Sequence, residues 1–70
     1  MKKLLNTLYV TTEDAYLSLN GETVEVIFGD DTHKQIPLHT LNAIVSFSYK
    51  GASPALMGKC AEAGVLLSFF

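Results

Sequence analysis

Hydrophobic and polar residues alternate along most of the chain, a pattern that indicates short β-strands. Leu8 and Val10 alternate with polar neighbours in a first predicted strand. Two more strands flank Asn20-Gly21, a dipeptide typical of type I′ turns, in which both central residues need positive φ. The sequence therefore predicts a hairpin over residues 15–28. A return strand over 33–37, a tight connector, and a further strand over 43–49 follow it.

The hydrophobic period changes near the end of the chain. Ser53 and Pro54 are a typical N-cap and first helical residue, and the apolar residues that follow recur at helical spacing. Gly64 supplies the left-handed residue with which helices commonly end. These features predict a helix over about 53–63. The last strand, over 65–70, should pair in parallel with the strand before the helix, through a right-handed crossover.

The fold class that follows is mainly β (α+β). We expect a small β-sandwich-like domain of two hairpin-built sheets, with one α-helix between the last two strands. The final segment, GVLLSFF, is apolar on both faces of a strand, and such strands belong to the interior of a fold. We therefore expect the natural protein to continue beyond this segment, so that residues 1–70 form one domain of a larger protein.

Composition points to partners rather than to chemistry. The 70 residues are 49% hydrophobic, and the mean hydropathy is +0.27. A domain this small buries only about 60% of its unfolded surface and is marginally stable alone. Excess apolar surface favours self-association or docking on another domain. The single cysteine, Cys60, excludes an internal disulfide and fits the reducing cytoplasm.

The charge balance argues against strong nucleic-acid binding by this chain alone. The net charge is −2, with five lysines and no arginine, whereas nucleic-acid-binding domains usually carry a basic surplus rich in arginine. Weak candidates for phosphate contacts are Lys2, Lys3 and Lys50. The tyrosines could stack on bases, although sheet packing or a protein interface is the favoured use.

No set of residues has the spacing of a catalytic or metal centre. His33 and His39 lie near Asp30 and Asp31, but nothing in the spacing places three ligands on one face, so a solvated turn is the favoured interpretation. The acidic pairs Glu13-Asp14 and Glu22-Glu25 are interpreted as exposed turn and strand residues.

Two further candidates have structural interpretations. Cys60 lies on the apolar stripe of the helix, where a cysteine behaves as a small hydrophobe rather than a nucleophile. The stretch YKGASP places a glycine before a helix N-terminus, but it lacks the frame of a phosphate loop. A strand-to-helix turn with an N-cap is favoured. We predict neither catalytic nor metal-binding residues within residues 1–70.

The order of these segments resembles the N-terminal domain of the CRISPR-associated integrase family, Cas1. The resemblance is carried by NTLYVTTEDAYLSLNGETVEV and by IPLHTLNAIVSFSYKGASPALMGKCAEAGVLLSFF, which together cover nearly the whole chain. The likeness is greatest to the bacterial subtype I-C branch.

The resemblance implies a two-domain, metal-dependent DNA endonuclease that inserts new spacers into the CRISPR array in antiviral defence. In that family a Glu, a His and an Asp of a helical C-terminal domain hold Mg²⁺ or Mn²⁺, so no catalytic residue can be assigned here and the chain alone should be inactive. The family also implies a homodimer through the N-terminal domains, a complex with the small protein Cas2, and binding of CRISPR and prespacer DNA mainly through the other domain.

The favoured hypothesis is thus a dimerisation and scaffold domain without cofactor. The alternative hypotheses are a small nucleic-acid-contacting β module and, least favoured, an autonomous enzyme. Outward-facing aromatic and aliphatic residues are the candidates for the dimer interface: Tyr16, Ile27, Tyr49, Phe69 and Phe70.

Overall fold

The computed structural model describes the backbone of residues 2–4 and 6–70, and the side chains from residue 6 onward. These residues form seven strands, one short 3₁₀ turn and one α-helix. The elements are β1 (Lys2–Leu4), β2 (Thr7–Val10), β3 (Tyr16–Asn20), β4 (Thr23–Ile27), β5 (His33–Pro37), the 3₁₀ turn (Leu38–Thr40), β6 (Ala43–Ser46), α1 (Pro54–Ala63) and β7 (Leu66–Phe69).

The strands form two sheets, and the mainly β, α+β class is confirmed. The antiparallel sheet has the order β3-β4-β5, and the mixed sheet has the order β1-β2-β6-β7. The expectation of two hairpin-built sheets is correct for the antiparallel sheet only. In the mixed sheet β1 pairs antiparallel with β2, but β2–β6 and β6–β7 are parallel, because the chain reaches β6 and β7 through crossovers rather than tight turns.

The predicted hairpin is present as β3 and β4, with a different turn from the expected one. Asn20 stays in β3 opposite Thr23, so the two connecting residues are Gly21 and Glu22. Only Gly21 has positive φ, at 64°. Positive φ at the first central residue alone is the signature of a type II′ turn, not of type I′.

Helix α1 begins and ends where the sequence predicts. The Ser53 side chain accepts a hydrogen bond from the Leu56 amide at 3.2 Å, which pairs one of the donors that a helix start leaves unsatisfied. Gly64 adopts a left-handed conformation at φ 73° and ends the helix. The predicted parallel pairing across this helix is confirmed, with β7 beside β6.

One hydrophobic core joins both sheets and the helix. Leu8 and Ile44 of the mixed sheet, Leu17 of the antiparallel sheet and Leu56 of α1 are at most 1% exposed. The alternation of the strands explains which of their residues are buried, since residues two apart on a strand share one face. The other buried apolar residues are Val10, Ala15, Val24, Val26, Leu38, Leu41, Cys60 and Val65.

Three features of the mixed sheet differ from the expectation. Strand β1 is additional, and β6 ends at Ser46 instead of residue 49. Beyond it, the amide of buried Ser48 donates to the Ser46 hydroxyl oxygen at 3.3 Å; such local side-chain bonds compete with sheet ladders. The expectation that the last strand is buried on both faces is wrong for this chain. Strand β7 lies at the sheet edge, and only Leu67 of its residues is half-buried.

Within the described part of the chain, no helix has both the length and the apolar character needed to cross a membrane.

Candidate interaction surface

The outward side of the mixed sheet carries large apolar side chains. Leu8, Val10, Ile44 and Ser46 point into the core, so by the two-residue period of a strand their neighbours point away from it. Tyr9 and Val45 lie directly opposite each other in the register of β2 and β6 and are half-buried. We call the outward set the outer apolar face: Tyr9, Val45, Phe47, Leu66 and Phe70.

Two phenylalanines of this face contact each other. The rings of Phe47 and Phe70 stack with their centroids 5.5 Å apart and their planes at 27°. The backbone holds both residues in place, because the Phe47 amide donates to the Val10 carbonyl and the Phe70 amide to the Ser46 carbonyl, each at 2.9 Å. Despite the stacking, Phe47 is 47% exposed and Phe70 is 78% exposed. The pair is thus an exposed apolar projection rather than part of the core.

The structure separates the predicted interface residues into different surfaces. Tyr16 and Ile27 lie directly opposite each other on β3 and β4 and are half-buried on the outward side of the antiparallel sheet. Beside them the His33 Nδ1 atom lies 2.6 Å from the Glu25 Oε2 atom, so this face combines apolar and charged groups. Phe69 and Phe70, by contrast, belong to the edge of the mixed sheet.

Tyr49, another predicted interface candidate, lies on the loop between β6 and α1. It is 76% exposed, while its amide donates to the Glu13 carbonyl at 3.0 Å. The backbone around it is therefore anchored although the ring is in solvent.

Phe47 and Leu66 are not among the interface residues predicted from the sequence. The only feature of the sequence that could identify them is their position in the alternation of a strand. Once Ile44 and Ser46 are known to be buried, the strand period places Val45 and Phe47 outward, and the sequence alone does not say which set is buried.

Of the predicted nucleic-acid candidates, only Lys50 has a described side chain. The side chains of Lys2 and Lys3 lie outside the described part of the chain. Lys50 is exposed on the loop next to Tyr49. Lys59 on α1 instead pairs with Glu22, with 3.2 Å between Nζ and Oε1.

The histidines and acids of the metal hypothesis lie apart. Exposed His39 is on the 3₁₀ turn, whereas His33 is on β5 and pairs with Glu25. Asp30 accepts a hydrogen bond from the Thr32 amide at 3.1 Å, and hydrogen bonding to the side chain and backbone of Thr32 lowers the pKa of Asp30. Among the described residues, no three His, Cys, Asp or Glu side chains are grouped so that they could hold a metal ion.

Cys60 and the stretch before α1 have structural roles. Cys60 is 1% exposed within the core, and desolvation by burial raises the pKa of its thiol, which disfavours the reactive thiolate. Ser53 uses its hydroxyl to cap α1.

Comparison with known proteins gives a consistent result over nearly all of the chain. The family model described as "CRISPR associated protein Cas1" matches residues 8–70. A curated relative, "CRISPR-associated endonuclease Cas1 1" of Chlorobaculum tepidum, is 49% identical over 69 residues. "CRISPR-associated endonuclease Cas1 2" of Rhodospirillum rubrum is 42% identical over 67 residues. These alignments cover 99% and 96% of the chain.

The chain spans 20% of the length of each of these relatives. Among solved structures, the crystal structure of a TtCas1–DNA complex superposes with a TM-score of 0.71. The match covers 96% of this chain and 26% of that one, at 16% sequence identity. At this identity the likeness establishes the fold.

Proposed function

Because the chain belongs to the Cas1 family of CRISPR-associated proteins, we propose that residues 1–70 form the N-terminal dimerisation and scaffold domain of a CRISPR adaptation integrase. The observation that carries the dimerisation role is the outer apolar face. Phe47, Leu66 and Phe70 expose large apolar side chains on one side of one sheet, and contiguous exposed apolar patches mark interaction surfaces.

The proposed parent protein is a metal-dependent DNA endonuclease that inserts spacers into the CRISPR array in the cytoplasm. Its catalytic residues, and the Mg²⁺ or Mn²⁺ that they would hold, are assigned to a helical C-terminal domain outside residues 1–70. Support comes from the length ratio, since the chain corresponds to a fifth of each curated relative. Cas2 and prespacer DNA are the proposed partners of the full-length protein.

Light scattering on the full-length protein tests the dimerisation role. Replacing Phe47 and Phe70 by serine should shift a dimer towards monomer, because it removes the stacked projection. Met57→Ser is a matched control, since Met57 is 45% exposed but lies on α1. Ile27→Ser tests the second candidate surface. If no variant on either sheet weakens the dimer, the assignment of dimerisation to this domain is wrong.

A second candidate function is a nucleic-acid-contacting module. It is favoured by the adjacency of exposed Tyr49 and Lys50 and by the DNA bound to the structurally similar TtCas1. Each phosphate contact that is removed should reduce the dependence of affinity on salt. A triple alanine variant at Lys2, Lys3 and Lys50 should therefore bind duplex DNA more weakly, with a shallower salt slope. An unchanged slope in titrations at several salt concentrations would exclude this role.

A further inference from the structure

The turn between β3 and β4 places two unpaired amides next to each other. Asn20 and Gly21 are both exposed, and a Cβ added at Gly21 would meet nothing within 4 Å, so the turn is open to solvent. Within the described part of the chain, neither the Asn20 side-chain amide nor the Gly21 backbone amide has a hydrogen-bond partner. The fold therefore leaves both groups free to react.

An asparagine side chain is open to attack by the backbone nitrogen of the residue that follows it. The attack closes a cyclic imide and expels ammonia, and it is one reason why asparagine counts among the thermolabile residues. A side chain on the following residue hinders the approach, whereas glycine has no Cβ and allows it. A hydrogen bond from the attacking amide would also have to break first. Asn20-Gly21 carries neither obstacle.

The other two asparagines of the chain lack this combination. Asn42 is also exposed, but it precedes Ala43, whose amide donates to the Asn6 carbonyl at 3.4 Å. The backbone of Asn42 is bonded as well: its amide donates to the Asn6 carbonyl at 2.7 Å, and its carbonyl accepts the Leu66 amide at 3.0 Å. Asn6 precedes Thr7, which is branched at Cβ. Asn42 is thus an internal reference for Asn20, equally exposed but blocked.

We propose that Asn20 is a site of spontaneous deamidation in the folded protein. The Gly21 nitrogen forms a bond to Cγ of Asn20, the bond from Cγ to Nδ2 breaks, and Nδ2 leaves as ammonia with the proton of the Gly21 amide. Water then opens the imide at either of its carbonyls. Opening at Cγ gives aspartate. Opening at the backbone carbonyl gives isoaspartate, in which the main chain continues through Cβ and Cγ.

The isoaspartyl product lengthens the backbone where the hairpin has no spare length. Asn20 and Thr23 are the closing pair of β3 and β4, and the length of a hairpin loop selects its turn type. Glu22 lies in the same turn. Its carbonyl accepts the Leu38 amide at 3.0 Å, and its carboxylate pairs with Lys59 at 3.2 Å, although an exposed ion pair contributes little. Isoaspartate therefore loosens the turn from Leu38, whereas aspartate adds only a charge.

Peptide mass spectrometry of the full-length protein tests the proposal. The folded protein is incubated at neutral and at mildly alkaline pH, and the conversion of amide to acid is followed at each asparagine over time. We expect loss of the Asn20 amide while Asn42 keeps its own, with faster loss at the higher pH because the attacking nitrogen must give up its proton. Retention of Asn20 for as long as Asn42, or its loss only in urea, would overturn the proposal.

The structural consequence is read at the Leu38 amide. Isoaspartate is recognised as the product that an isoaspartyl carboxyl methyltransferase methylates, and hydrogen exchange is measured on fresh protein, on aged protein and on Asn20→Asp. The aged protein should contain a fraction in which Leu38 exchanges faster. Asn20→Asp, which has the charge without the added backbone atom, should match fresh protein. Equal exchange in aged and fresh protein would contradict the loosening of this turn.

Two variants provide the controls. Asn20→Ser has no side-chain amide, so the same incubation should leave its Leu38 exchange unchanged. Gly21→Ala hinders the attack and should slow the loss of Asn20. Because alanine is strained at the positive φ of Gly21, 64°, this variant and the wild type are also compared in urea, where folding has no influence. Equal rates of loss in urea would show that the missing Cβ does not control the reaction and would count against the proposed mechanism.

Discussion

Ser53 has a defined energetic role at the start of α1. Its hydroxyl accepts the Leu56 amide at 3.2 Å, and loss of such a cap costs about 1 kcal/mol. We expect Ser53→Ala to lower the free energy of unfolding by that amount in urea denaturation. Ser68→Ala is the matched control, because Ser68 is exposed on β7, and it should change stability by less than about 0.5 kcal/mol. Equal effects at both positions would contradict the capping role.

Asp30 should make stability depend on pH under acidic conditions. Hydrogen bonding to Thr32 lowers the pKa of Asp30 from its ordinary value of 3.8. A carboxylate with a lowered pKa in the folded state contributes stability that is full above the unfolded pKa and is lost as pH falls through the folded pKa. Asp30→Asn should therefore be less stable than wild type near neutral pH, and the difference should shrink below about pH 4. Thermal unfolding measured between pH 7 and pH 2 checks this, and a constant difference would be contrary to it.

At the scale of elements, two glycines of one helical segment should respond in opposite ways to alanine. Gly58 lies inside α1, and an added Cβ would meet nothing within 4 Å; alanine there should stabilise by about 1 kcal/mol because of its better helix propensity. Gly64 has φ 73°, where a side chain is strained, so Gly64→Ala should destabilise by about 1 kcal/mol. Urea denaturation measures the free energy of unfolding of both variants, and each variant serves as the control for the other. A gain at Gly64 would contradict the left-handed C-cap.

The elements with strong local signals were predictable from the sequence. The hairpin and α1 follow from alternation, the glycine after Asn20 and the Ser53-Pro54 cap, all of which act within a few residues. The turn type was wrong because it depends on the register between β3 and β4, which places Asn20 opposite Thr23. Strand β1 was not predicted, because its three residues are too few to show a hydrophobic period. It is stabilised by pairing with β2, which its own sequence does not indicate.

The position of β7 illustrates the limit of hydrophobic pattern alone. Its composition predicts an interior strand, yet within this chain it lies at a sheet edge with Leu66 72% exposed. Burial depends on which neighbours the topology supplies, and a strand's own sequence does not contain them. The same limit applies to the outer apolar face. The apolar excess of the sequence predicts that an interaction surface exists, but only the fold shows that Phe47, Leu66 and Phe70 form it.

At the scale of the whole molecule, the outer apolar face should couple association to stability. The chain has the size of domains that are marginal alone, while a partner that binds only the folded state stabilises it by mass action. The melting temperature of the full-length protein should thus rise with protein concentration, since each tenfold increase adds about 1.4 kcal/mol to a folded dimer. The Phe47→Ser, Phe70→Ser variant should lose this dependence, and Met57→Ser should retain it. Fluorimetry over two decades of concentration measures the effect. A dimer that dissociates on unfolding must show this mass-action shift. A melting temperature of the wild-type protein that does not change with concentration would therefore contradict the coupling of folding to association through the outer apolar face.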